Sequence, residues 1–172
     1  AHHIVQVTGL REYHIFGFSD GGTAAYGLAA EDTRVLLVVT VGASWSGVRD
    51  ASVREMFENL SPALFRERMA DRVASYERLN PRPHLETLVD DLRHRWLDTA
   101  ETGYLNEHVS AIKVPVLAAR GENDFLFSLQ ELAELREHLP EAHLMNVPFA
   151  SHEAISEQPG IIWAAMKTMY GL

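Results

Sequence analysis

No cysteine occurs anywhere in the 172 residues. Disulfides, thiolate metal sites and a cysteine nucleophile are therefore excluded, and the composition fits a reducing, cytoplasmic setting. Basic residues are few. Fifteen Lys and Arg stand against 24 Asp and Glu, for a formal net charge of −9. So acidic a chain repels phosphate backbones, and nucleic acid is a poor partner. Long apolar runs are missing as well. The longest, Val35 to Val41, is broken only by Thr40 and falls well short of the ~18 residues of a membrane span. No membrane partner is expected. The opening residues Ala1-His2-His3-Ile4 lack the basic and apolar regions of a secretory signal peptide. Of the nine histidines, no pair has the spacing of a zinc site, and neither metal nor other cofactor is expected.

What is present is a chain of ordinary globular composition, 47% apolar and 23% charged, long enough for one domain with a real core. Residues 12–18 are β-prone and run into Ser19-Asp-Gly-Gly22, after which Thr23 to Ala30 is small and helix-friendly. Arg34 to Gly42 is a nearly unbroken β-branched and leucine run, the pattern of a parallel strand covered on both faces. Residues 114–119 and 142–147 predict two more strands, and Leu129–Leu139 and Gly160–Tyr170 two helices. Strands alternating with helices predict an α/β architecture, a mostly parallel sheet with helices on both faces. Residues 44–109 break the alternation. They are charged, carry Trp45, Trp96, Tyr76 and Tyr104, and predict three or four helices with turns at Ser61-Pro62 and at Asn80 to Pro83. Ser61 reads as an N-cap with proline in the first helical position. The organisation is thus 1–43 (first core strand, helix and second strand), 44–109 (a helical insertion, read as a lid) and 110–172 (the rest of the core).

The chemistry-bearing motif is Gly17-Phe18-Ser19-Asp20-Gly21, a G-x-S-x-G pattern with a further Gly22. It lies between a predicted strand and a predicted helix, the context of a nucleophile elbow. There the serine occupies a strained backbone at a sharp turn, and side chains two before and two after it are expected to collide with neighbouring backbone. The Asp20 N–H points at a developing oxyanion. A base and an acid should follow in the order acid, then histidine. Asp124 comes just past the strand 114–119, with Glu122 competing for its role. His152 follows the last strand. Both positions fall on the rim where ligands bind in open α/β sheets. In triad logic His152 takes the Ser19 proton, and Asp124 orients the imidazole and stabilises its charged form. His14 reads as a packed or edge residue, His138 and His143 as surface.

Three segments carry a family resemblance: Gly17 to Gly22, Pro115 to Asp124, and Ser151 to Pro159. They resemble the signature segments of lidded α/β hydrolases, most of all the valacyclovir-hydrolase-like and proline-iminopeptidase-like esterases and amidases. The resemblance implies the C-terminal portion of an α/β-hydrolase fold and a serine hydrolase acting on a small ester or amide. Asp20 has two readings, a carboxylate in the first turn of a helix or, as the resemblance implies, a holder of a cationic amine. Phe18, Trp45 and Trp96 are candidate substrate contacts. The aromatic residues of the insertion, Phe57 and Phe65 with the two tryptophans, serve either an acyl site or the insertion's own core.

The resemblance also implies four strands before the elbow strand and a His-Gly segment donating a second oxyanion N–H. Only about eleven residues precede the elbow strand here. His3 to Leu10 read as the tail of a helix capped by Gly9. The expectation is that the remainder lies outside this chain or comes from another. The edge Tyr13–Phe16 then invites a complementing fragment or a homo-oligomer, and the isolated chain is expected to hydrolyse weakly. Two other functions stay open: C–C bond hydrolysis by the same triad, and a non-catalytic receptor or scaffold. Epoxide and haloalkane hydrolysis are disfavoured, since they need an aspartate in place of Ser19.

Overall fold

The run Val35–Val41 folds as expected, into a strand buried along nearly its whole length with only Leu36 open to solvent. The computed structural model describes residues 2–48, 50–100 and 102–172. By contact the chain divides into two units, residues 1–46 with 104–172, and residues 47–103.

In chain order the first unit opens with α1 (His2–Thr8), β1 (Tyr13–Phe18), α2 (Asp20–Glu31) and β2 (Val35–Val41). Gly9, at φ +65°, closes α1 in the left-handed conformation expected of a helix cap. The second unit holds α3 (Ala51–Glu58), α4 (Pro62–Arg68), α5 (Ala70–Leu79) and α6 (Leu85–Leu97). The chain then re-enters the first unit through a 3-10 turn at Asn106–Ala111 and continues with β3 (Val116–Gly121), α7 (Leu129–His138), β4 (His143–Val147), α8 (Ala154–Glu157) and α9 (Pro159–Tyr170).

The four strands form one parallel sheet in the order β1-β2-β3-β4. Successive side chains of a strand point to opposite faces, and the core divides accordingly. Val38, Val116 and Ala118 pack with Tyr26 of α2 and with Leu132 and Leu135 of α7. Val39, Val41, Leu117 and Ala119 pack with Ile162 and Met166 of α9. Register places the carboxyl ends together, with Phe18 beside Val41, Val41 beside Ala119, and Gly121 beside Val147. Among the described residues β1 pairs on one side only, with β2. Phe16 on that strand is 43% exposed, and His14 stacks on Tyr170 with ring centroids 5.2 Å apart.

The second unit has its own small core of Phe65, Val73, Leu85 and Val89, and Phe57 lies against Trp96 at 4.9 Å. Asp50 caps α3 by accepting from the N–H groups of Ser52 and Val53. Ser61 Oγ accepts from Leu64 N at 3.2 Å ahead of α4, with Pro62 in the first turn, as the Ser-Pro pair predicts. The helical unit is shorter at both ends than 44–109, because Trp45 and Val109 are buried in the strand-bearing unit.

Candidate active site

β1 delivers the chain to the rim, and α2 begins one residue later, so Ser19 alone makes the turn. Its backbone sits at φ 52°, ψ −126°, a region non-glycine residues seldom occupy. The turn is held from both sides. Ser19 N donates to the Val41 carbonyl at 2.9 Å, and the Ser19 carbonyl accepts from Gly22 N at 2.8 Å and Thr23 N at 3.1 Å.

Glycine is needed here, at positions partly different from those the motif suggests. A Cβ on Gly17 would lie 2.5 Å from the Gly21 carbonyl oxygen and from the Gly22 Cα. A Cβ on Gly22 would overlap the Ala43 side chain. A Cβ on Gly21 would meet nothing within 4 Å. The expectation of a collision two residues after the serine is thus corrected. Gly21 faces outward on the helix, and it is Gly22, the next residue, that β1 and Ala43 crowd.

Asp124 lies in the loop after β3, its side chain wholly out of solvent. Its Oδ1 accepts from Leu126 N at 2.9 Å and Phe127 N at 3.2 Å. His152, after β4, places Nδ1 3.0 Å from Asp124 Oδ2 and Nε2 3.0 Å from Ser19 Oγ. The structure thus brings Ser19, His152 and Asp124 into one hydrogen-bonded line. Glu122, the competing acid, is exposed and turned the other way, accepting from Phe149 N at 2.9 Å. The histidine loop is anchored by Glu157, which accepts from the Ser151 hydroxyl at 2.5 Å and its N–H at 2.6 Å. Those bonds, the hydroxyl's first, hold the Glu157 carboxyl below its usual value.

Of the remaining candidates, Phe18 packs its ring against His152 at 5.2 Å. Asp20 is the exposed first residue of α2. Trp45 is buried in the strand-bearing unit, its indole N–H donating to the Glu131 carbonyl at 3.0 Å and its ring against His138 at 4.9 Å. That contact half-buries His138, which was expected at the surface. Trp96 packs inside the helical unit. Among the described residues no three His, Asp or Glu side chains gather as a metal site requires, and no helix is long and apolar enough to cross a membrane. A cavity of about 540 Å³ bounded by Lys113, Pro115, His138 and His143 opens where β3 and β4 begin, the end of the strands away from Ser19.

Sequence reasoning missed Gly42, the residue after β2. It has φ +59°, and a Cβ there would lie 3.0 Å from His152 Nδ1 and Cε1 and 3.2 Å from Asp124 Oδ2. The imidazole lies close against this bare backbone. The only available signal was a glycine ending a buried strand on the functional rim.

No protein-family model matches the chain, and no curated protein is similar to it in sequence. Solved structures are. The 2-hydroxy-6-oxo-6-phenylhexa-2,4-dienoate hydrolase of Rhodococcus sp. strain RHA1 superposes with a TM-score of 0.76 at 18% identity, over 98% of this chain and 67% of that one. MGS-M2, an alpha/beta hydrolase enzyme from a Medee basin deep-sea metagenome library, superposes with a TM-score of 0.69 at 21% identity, over 99% of this chain and 69% of that one. This chain has the α/β-hydrolase fold. A structure described with the carboxylesterases of Nitrososphaera gargenis is a further neighbour, with a TM-score of 0.67 at 17% identity, over 99% of this chain and 68% of that one. In an α/β-hydrolase fold the strand-to-helix turn, the acid loop and the histidine loop share the carboxyl rim of the sheet, as Ser19, Asp124 and His152 do here.

Proposed function

We propose that the chain carries the reacting groups of a serine hydrolase that cleaves a small ester or amide through an acyl-enzyme. The observation that carries the reading is the unbroken line from Ser19 Oγ through His152 to Asp124, with both hydrogen bonds near 3.0 Å. His152 Nε2 accepts the hydroxyl proton as Oγ attacks the carbonyl carbon. Asp124 holds Nδ1–H toward itself, so the free lone pair faces the serine, and it stabilises the imidazolium that forms. The tetrahedral oxyanion develops beside the first turn of α2, where the Asp20 N–H and the positive end of the helix lie. His152 then gives its proton to the leaving alcohol or amine, and a water activated by the same nitrogen releases the acid. The helical unit, residues 47–103, is inserted in the chain between β2 and β3. Asp20 belongs to the proposal as a contact for a cationic substrate, and Phe18 as an apolar one.

A second reading, C–C bond hydrolysis, is favoured by the neighbours. Two of them are named as hydrolases of carbon-chain compounds, the Rhodococcus enzyme of 2-hydroxy-6-oxo-6-phenylhexa-2,4-dienoate and the Pseudomonas fluorescens IP01 enzyme of a meta-cleavage product. The same three residues serve either bond. Stopped-flow hydrolysis of a chromogenic short-chain ester, beside a vinylogous diketone, separates the two. The ester reading expects a burst of one leaving group per Ser19. A burst confined to the diketone selects C–C cleavage, and a chain that turns over neither substrate and traps no acyl group on Ser19 rejects the acyl-enzyme.

A further inference from the structure

Arg120, near the end of β3, is only 4% exposed. A cation that far from water is costly unless its donors are used. Three of the five are. Nε donates to the Phe127 carbonyl at 2.6 Å, Nη2 to the Asp124 carbonyl at 2.7 Å and Nη1 to Asn146 Oδ1 at 2.7 Å. All three acceptors are neutral. Two of them bound the turn 124–127, whose Leu126 and Phe127 N–H groups hold the Asp124 carboxylate. The third sits on β4, the strand that leads to His152.

The other side of the same loop is fixed by the main chain. Glu122 N donates to the Val147 carbonyl and Asn123 N to the Ala150 carbonyl, both at 2.8 Å. Gly121 runs so close to the Ser151 carbonyl that a Cβ would overlap it. The acid loop is therefore gripped between the histidine loop and the guanidinium. An apolar side chain of similar volume would leave the Phe127 and Asp124 carbonyls and Asn146 Oδ1 without their donor, and a buried acceptor left unpaired is costly. Burial holds the guanidinium below its usual proton affinity, against the opposing pull of Asp124 and Glu122.

We infer that Arg120 is a positioning residue, whose fork ties both ends of the Asp124 turn to Asn146 and so sets the distance and angle between Asp124 and His152. The inference rests on the reading of Ser19, His152 and Asp124 as reacting groups. Lysine keeps the charge but presents a point donor that cannot reach three divergent acceptors.

The test uses the whole chain carrying Arg120→Lys, with Asn146→Leu as a second, milder variant. Three quantities are read: thermal unfolding, the rate at which a fluorophosphonate labels Ser19, and the far-downfield proton resonance of the His152 Nδ1–H that faces Asp124. The expectation for folded Arg120→Lys is labelling slowed about 10²-fold, the scale of an ångström's misplacement, with the resonance shifted or broadened. Asn146→Leu should show both effects more weakly. A folded Arg120→Lys that labels at the wild-type rate with an unmoved resonance overturns the inference. So does a variant whose only change is a lower melting temperature. If Arg120→Lys does not fold, Asn146→Leu decides by the same two readouts. A wild-type chain that does not label defeats the hydrolase reading, and the resonance alone then decides the positioning role.

Discussion

Gly42 and His152 are in contact through the place where Gly42 has no side chain: a Cβ there would stand 3.0 Å from two atoms of the imidazole ring. The strand β2 thus supplies the floor on which the base lies. Gly42→Ala should push the ring and the Asp124 carboxylate out of line, lowering kcat by about 10²-fold. The φ of +59° adds a stability cost of about 1–2 kcal/mol. Kinetics with denaturant unfolding on the same preparation check both. A variant with full activity would show that the ring is not held there.

Gly21 and Gly22 should respond in opposite ways. Gly21→Ala enters open space in the first turn of α2 and should leave stability unchanged or raise it by up to ~1 kcal/mol. Gly22→Ala drives a methyl into Ala43 and should cost about 1–3 kcal/mol. Thermal unfolding of the pair measures the contrast.

Much of the α/β-hydrolase fold was legible because its signals are local. An unbroken β-branched run declares a strand covered on both faces, and β2 is one. Ser61-Pro62 declares a helix start, and α4 starts there. The line from Ser19 to Asp124 was legible because each residue follows a strand, and parallel strands bring all such positions to one rim. What was not legible depends on pairs distant in sequence. The need for glycine at position 42 comes from His152, and the crowding at Gly22 from Ala43. Arg120 reads as an ordinary strand-end cation until Phe127 and Asn146 are seen around it. Trp45 stands next to a charged helical stretch in sequence, yet its partner is the carbonyl of Glu131.

The serine's backbone carries strain independent of its chemistry. Ser19→Gly and Ser19→Ala both remove the nucleophile, and only glycine occupies φ 52°, ψ −126° freely. The glycine variant should be the more stable of the two by about 1–3 kcal/mol. Equal melting temperatures would mean that the turn is relaxed.

Stability should fall at both pH extremes through one cluster at the foot of β1. The Arg34 guanidinium, then the Tyr13 hydroxyl, hold the Asp32 carboxyl well below the usual range. A depressed carboxyl stabilises the fold above its unfolded value of 3.8, and that contribution is lost as pH falls below it. Tyr13, pushed up to about 12 by burial and then by Asp32, keeps its proton when folded. Its contribution is whole below 10.0 and is lost as pH rises toward about 12. Asp32→Asn should flatten the acid limb of a stability-against-pH curve and Tyr13→Phe the alkaline limb.

The central claim is that Ser19 is a nucleophile activated by His152. Its most direct test is peptide-resolved mass spectrometry after treatment with a fluorophosphonate. The account predicts one phosphonyl adduct per chain, on Ser19, absent in Ser19→Ala and formed orders of magnitude more slowly in His152→Ala. An unmodified Ser19, or one modified at the same rate without His152, would contradict it.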